Sequence, residues 1–474
     1  MPAGRSDHFE SLGLDDGILR RLIAAALSRG GDFCDLYFQQ RASNVIALED
    51  NEVNRAFRAV SLGVGIRVVQ GDATGFAFSE ELEEETMRQA ADAAAAIASG
   101  GGRAGPQAIS RSETLDLYPV STGWSEVTVD QKLPLLERIN ERAFAADRRI
   151  RKVRVRLSDG ESHVLVVDSD GRKAYDYRPM SVLFAYCVAE DGDRREENYH
   201  TLGGRVGFDY YTDERVDRVA DEAVSRTLLL FDAARPEAGE MPVVLSAGSS
   251  GILLHEAIGH GMEADFNRKG ISIYADRIGK PIAEPFVSIV DDGTIPNDRG
   301  AINIDDEGNP VQRTTLVEDG VLRTYIHDRI SARHYGVEPT GNGRRESFRR
   351  APLPRMRSTY MLAGPHQKEE IIRSVKRGIY AVSFTNGQVQ IGAGDFTFYI
   401  KTGYLIEDGK LTRPIKDVNL IGNGPQVLRD VCMVGDDLEL DQGGWTCGKD
   451  GQSVPVSLGM PTVKVKAITV GGVG

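Results

Sequence analysis

Residues 246–261 read Ser246-Ala247-Gly248-Ser249-Ser250-Gly251-Ile252-Leu253-Leu254-His255-Glu256-Ala257-Ile258-Gly259-His260-Gly261. The short run 242–245 just before them fits a strand, and the Ser/Gly cluster that follows is a turn. Ser249 or Ser250 then offers an N-cap, and Ile252, Leu253 and Leu254 give the ensuing helix a buried face. Strand, turn and helix in that order set His255, Glu256 and His260 on a helix fixed in a core.

The two histidines stand five apart, in an HExxxH arrangement. A regular helix turns about 100° per residue, so the familiar HExxH spacing leaves two imidazoles about 40° apart and this one about 140°. A one-residue π-bulge, paired i to i+5, restores facing positions, and such bulges concentrate at functional sites. Gly259 sits where the extra residue is absorbed, because glycine tolerates backbone distortion. The spacing therefore predicts a widened turn between His255 and His260. Neutral imidazoles are common zinc ligands, and hydrolytic zinc sites leave one position for water. A carboxylate beside the first histidine can take a proton from such a water, which makes Glu256 the candidate general base.

Two histidines do not complete a site. Glu263, Asp265, His327 and Cys447 are the candidates for a third ligand. Glu263 and Asp265 lie just past the helix, where solvated carboxylates are common, and His327 follows an apolar strand. Cys447 sits in Gly443-Gly444-Trp445-Thr446-Cys447-Gly448-Lys449-Asp450-Gly451, which reads as a flexible loop. Of the other cysteines, Cys34 and Cys187 sit among strand residues and Cys432 between Val431 and Met433, and all three read as core thiols. The chain has 4 cysteines and no CxxC pair, so no disulfide framework is expected.

Outward from the motif, the second half alternates short apolar runs with turns: 285–290, 314–317, 321–326, 388–391, 397–400, 404–406 and 461–470 read as strands, and 368–377 as a helix. Residues 316–322 and 405–411 share a Glu-Asp-Gly core, which predicts two similar hairpins. In the first half, Asp15 and Asp16 open a helix ending at Gly30. Strands are expected at 33–40, 45–48, 59–69 and 74–78. Ser79 is expected to cap a helix from Glu80 to about Ser99, and Gly100, Gly101 and Gly102 to break the chain. Helices follow at 129–146 and at 212–231, the latter capped by Thr212. Asp159-Gly160, Asp170-Gly171 and Asp191-Gly192 are hairpin signals. Residues 232–239 form a linker. The expected class is α+β: an N-terminal domain, 1–235, of antiparallel sheet with covering helices, and a C-terminal β-rich domain, 236–474, carrying the metal-binding helix.

With 474 residues, 41% hydrophobic and 27% charged, the composition suits a two-domain globular protein. A net charge of -13 argues against a nucleic-acid surface, despite the local cluster Arg344, Arg345, Arg349 and Arg350. The segment Arg344-Arg345-Glu346 reads first as a surface turn, with a role at a substrate or interface as the alternative. The polar start lacks a signal-peptide core, and no run approaches about 20 apolar residues, so a cytoplasmic protein without membrane contact is expected.

Several separate motifs, in order, carry a family resemblance. Leu254-His255-Glu256-Ala257-Ile258-Gly259-His260-Gly261, Asp265-Phe266-Asn267-Arg268-Lys269-Gly270, Thr340-Gly341-Asn342-Gly343-Arg344-Arg345-Glu346-Ser347 and Cys447-Gly448-Lys449-Asp450-Gly451-Gln452-Ser453 closely resemble the TldD branch of the TldD/PmbA metallopeptidases. The resemblance is dense over 242–474 and weaker before it. It implies that His255, His260 and Cys447 are ligands of Zn2+ and that Glu256 is the catalytic glutamate. It also implies peptide substrates, small or unfolded, and pairing as a homodimer or with an inactive TldE/PmbA-type relative. The sequence does not single out a residue to assist the oxyanion; His327 and Tyr325 are guesses. The rival readings are a regulatory or chaperone-like binding subunit whose metal is structural, and a metal-dependent hydrolase acting on something other than peptides.

Overall fold

The computed structural model describes residues 8–98 and 105–472. The expected break at Gly100, Gly101 and Gly102 and the first seven residues of the polar start lie outside the described residues. The class is α+β, with a β-rich second half.

The first sheet runs in the order Ala73–Ser79, Glu52–Gln70, Phe33–Glu49, Ile150–Asp168, Arg172–Asp191, Arg194–Gly204, with Ser110–Arg111 parallel to one of them and all other pairings antiparallel. Its strands are longer than local patterns suggest. Residues 33–40 and 45–48 join in one 17-residue strand. Asp159-Gly160 is not a turn but the middle of a 19-residue strand. Gly160 is needed there for space, since a β-carbon would lie 2.4 Å from the Ala42 carbonyl oxygen. Asp159 meets the buried Lys132 ammonium at 2.8 Å. The other two Asp-Gly pairs do turn the chain, with Gly171 at φ 91° and Gly192 at φ 62°.

Among the described residues, four helices of 11 residues or more cover one face of this sheet. Asp15 accepts the Ile18 N–H to start Asp16–Ala26. Thr128 and Gln131 form a reciprocal cap on Val129–Ala146. Asp213–Leu229 begins after Thr212. The fourth helix, Glu84–Ile97, starts later than expected. The Ser79 hydroxyl is spent locally on Glu81, donating to its carbonyl and accepting its N–H, so it caps no helix. Alternation along the strands divides the cores: Leu36 and Phe38 pack under the helices, while Tyr37, Val164 and Val166 face Ile304 and Phe348 of the second half.

In the second half, Gly239–Leu245 pairs with Arg377–Gln390 and with Val463–Gly472; the latter pairs with Val418–Asn423, which pairs with Asp395–Glu407, which returns to Arg377–Gln390. These strands therefore close on themselves as a small barrel. A separate six-stranded sheet runs Val321–Leu322, Arg313–Glu318, Ile289–Asp292, Ser358–Met361, Ser457–Met460, Glu439–Leu440. The expected strand at 285–290 is shifted to Ile289–Asp292, and the helix from Lys368 ends at Arg373 because Arg377 opens a strand. The two Glu-Asp-Gly hairpins turn alike, with Asp319 and Gly320 at φ 49° and 77° and Asp408 and Gly409 at φ 48° and 74°. Barrel, sheet and the 251–262 segment share one hydrophobic core.

The halves meet through buried charge. Asp35 pairs with Arg67 and Arg345, and Arg67 with Glu307 at 2.7 Å, all with side chains at most 1% exposed. Arg344 and Arg345, expected at a surface turn, are buried. No helix of the described residues is long and apolar enough to cross a membrane.

Candidate metal centre

Ile252, Leu253 and Leu254 turn the start of the segment into the shared core, as the sequence suggests. Ser250 is already helical, and its hydroxyl goes to the Ala381 carbonyl rather than to a cap. Gly251–Leu254 is α-helical, His255–Gly259 is a π turn, and His260–Met262 is 3-10. The widened turn predicted by the spacing of five is present. The two rings lie 5.2 Å apart at 80° to one another. Gly259 itself has an ordinary helical φ of -59°. Its lack of a side chain serves packing, because a β-carbon would lie 2.1 Å from Met356 Sδ.

Cys447 lies on a strand, not in a loop. Thr446–Lys449 and Gln452–Pro455 form a two-residue hairpin, with Asp450 and Gly451 at φ 52° and 66°. Two buried arginines fix it. Arg355 donates to the Cys447 carbonyl at 2.7 Å and the Gln452 carbonyl at 3.3 Å, and Arg344 donates to the Pro455 carbonyl at 2.7 Å.

This brings His255, His260 and Cys447 together: their donor atoms lie within 4.8 Å of one another, and all three residues are buried. Cys447 Sγ is 3.4 Å from His260 Nε2. Two donors on one tetrahedral zinc, with bonds of about 2.3 and 2.1 Å, would stand about 3.6 Å apart. His255 is 1% exposed, yet neither ring nitrogen has a hydrogen-bond partner. An orphaned buried nitrogen is costly, and a cation among the three donors would satisfy one of the two. Burial pushes the Cys447 thiol up, but the neighbouring imidazoles outweigh it and hold it well below its usual range. Burial lowers His260, and Glu263 with Cys447 more than reverses that. The nitrogen and sulfur donors suit zinc.

The other candidates lie elsewhere. Glu263 touches His260 on the far side, accepting from Nδ1 at 2.9 Å. Burial raises its carboxyl, but Lys449 and His260 bring it down to about 2. Asp265 pairs with Lys449 at 2.7 Å. His327 packs between Tyr325 and Tyr335, and the Tyr325 hydroxyl donates to the Tyr274 carbonyl. Neither His327 nor Tyr325 lines the cavity beside the cluster.

That cavity, about 80 Å3, is bounded by Ile252, His255, Glu256, Gly387, Trp445, Thr446 and Val456. The Glu256 side chain is 24% exposed, with Oε2 3.8 Å from His260 Nε2. Trp445 also borders a cleft of about 980 Å3 between the halves. Lys449, Arg355 and Arg344 are neighbours that sequence reasoning missed as parts of the site. Arg344 and Lys449 lie within motifs that carry the family resemblance, whereas Arg355 left no trace.

Fold and comparison together define a metallopeptidase. The PmbA/TldA metallopeptidase domain 1 model matches residues 34–98, the central-domain model 123–231 and the C-terminal-domain model 238–472. The chain belongs to the TldD/PmbA family of metallopeptidases, TldD branch. It is 43% identical over 451 residues to a metalloprotease TldD homolog of Haemophilus influenzae, covering 94% of each chain. It is 40% identical over 448 residues to the Buchnera aphidicola homolog, covering 93% of each. Among solved structures, TldE from Thermococcus kodakarensis has the same fold, with a TM-score of 0.75 at 18% identity over 96% of this chain and 100% of that one.

Proposed function

We propose that the chain is a zinc-dependent peptidase acting on small or unfolded peptides, with His255, His260 and Cys447 as metal ligands and Glu256 as general base. The observation that carries this reading is the convergence of two imidazoles and a sulfur within 4.8 Å, beside a cavity that Glu256 also lines. Zinc, when bound, supplies Lewis acidity that polarises the scissile carbonyl and acidifies water. Glu256 takes the proton of the attacking water and passes it to the leaving amine as the C–N bond breaks. The π turn orients His255 and His260 towards the sulfur, and the Arg355-braced hairpin delivers Cys447.

A peptide fits as an added strand. From 384 to 390 the strand bordering the cavity at Gly387 pairs only with Asp395–Glu407, and no described strand covers its other edge. Main-chain pairing there is indifferent to side chains, which suits broad specificity. The likeness to TldE supports pairing with a TldE/PmbA-type relative, and a homodimer is the other assembly considered. The reading includes a cytoplasmic location and a division into domains 1–235 and 236–474. Among the described residues, strands before residue 205 pair only among themselves, which supports that division.

Metal analysis of wild type and Glu256→Gln tests the proposal. Stoichiometric zinc in both, with peptide hydrolysis lost only in the variant, is expected. Unchanged hydrolysis in Glu256→Gln removes the base assignment. Zinc without hydrolysis in wild type, tested with its partner present, favours the binding subunit instead.

A further inference from the structure

Cys447 and Lys449 leave the same face of one strand. Both reach His260, at opposite ends of its ring. Cys447 Sγ stands 3.4 Å from Nε2. Lys449 Nζ stands 3.1 Å from Glu263 Oε2, and that same oxygen is 2.9 Å from His260 Nδ1. One strand therefore grips both sides of a single imidazole, once directly and once through a carboxylate.

The arrangement is dry and well satisfied at the ammonium. Side-chain exposure is 0% for Glu263 and 5% for both Lys449 and His260. An ammonium has three N–H donors, and Lys449 meets three acceptors: Glu263, Asp265 Oδ1 at 2.7 Å and the Pro354 carbonyl at 3.1 Å. A carboxylate buried this deeply needs such a counter-charge to stay in place. A carboxylate on the far nitrogen of a metal-ligating histidine fixes the proton there and aims the other lone pair outward.

We infer that Glu263 is the positioning residue of the metal centre and Lys449 its built-in counter-charge. Glu263 holds the proton on Nδ1 so that Nε2 faces Cys447, and Lys449 ties that orientation to the hairpin carrying the sulfur. The inference rests on the proposal that the cluster binds metal.

The test measures zinc affinity, by competition with a chelator, and the thiolate-to-cobalt absorption of the Co2+-loaded protein. Wild type is compared with Glu263→Gln, Lys449→Met and their double variant. Each single variant is expected to lose about 10- to 100-fold in zinc affinity and to shift the cobalt spectrum. The double variant should lose little more than the worse single one, because the two act as a unit. Affinity within threefold of wild type and an unchanged spectrum in Glu263→Gln would mean a merely structural ion pair, and the inference would be wrong. Should the buried substitutions not fold, Glu263→Asp carries the same test: it keeps the charge but withdraws the acceptor from Nδ1, and unaltered affinity overturns the inference. A wild type that binds no zinc defeats the peptidase reading first, so the two failures are distinguishable.

Discussion

Gly259 and Met356 compete for one volume, since a β-carbon on Gly259 would sit 2.1 Å from Met356 Sδ. Met356 is fully buried, so it has little room to yield. Gly259→Ala should destabilise the protein by about 1–3 kcal/mol through overpacking. In a Met356→Ala background the penalty should shrink, because the opposing sulfur is gone. Denaturant unfolding of the four proteins in this cycle measures the coupling; an equal penalty in both backgrounds would assign the cost to the backbone instead.

The guanidinium of Arg355 is a brace for the thiol-bearing hairpin. Arg355→Lys keeps the charge but loses the fork that spans the Cys447 and Gln452 carbonyls. Losing one charged hydrogen bond costs about 1.5–3 kcal/mol. The same substitution should weaken zinc retention, because the Cys447 backbone is no longer pinned. Isothermal titration of zinc alongside thermal unfolding separates the two effects, and wild-type values in both would deny Arg355 this task.

Acid sensitivity should trace partly to His327. Burial pushes its imidazole from 6.5 down to about 4. Below pH 6.5 the unfolded chain takes up a proton that the folded chain refuses until about pH 4. Stability contributed by this residue is therefore complete above pH 6.5 and falls through that window, by up to about 3 kcal/mol. In His327→Gln, urea midpoints measured between pH 7 and pH 4 should decline less steeply than in wild type. Parallel declines would show that His327 does not titrate in this way.

Trp445 borders both the small cavity and the large cleft. If peptides pass from one to the other, Trp445→Ala should raise KM several-fold with a smaller change in kcat, since the indole is placed to bind rather than to react. Steady-state kinetics on an unstructured peptide decide the matter; a fall in kcat alone would implicate the chemistry.

Periodicity and spacing were legible, whereas cap residues such as Ser79 and Ser250 were not, since their hydroxyls found other partners. The helix 129–146 was legible from its own run of residues, and the spacing of five between His255 and His260 foretold the π turn through geometry alone. What depended on distant neighbours was misread. Asp159-Gly160 has the chemistry of a turn, yet the sheet runs straight through it, because Lys132 and the Ala42 backbone supply what the pair needs. Arg344 and Arg345 read as surface charge because their acceptors, Pro455 and Asp35, are remote in sequence. Glu263 read equally as a ligand or a solvated acid, and its place behind His260 was hidden because Lys449 lies far down the chain.

The Asp35, Arg67, Glu307 and Arg345 contact has a consequence for evolution and for engineering. Each half completes the electrostatic solvation of the other, so neither is a portable module. A chimera that joins the first half of this chain to the second half of a relative must inherit all four ions as a matched set, or leave bare charge stranded at the seam.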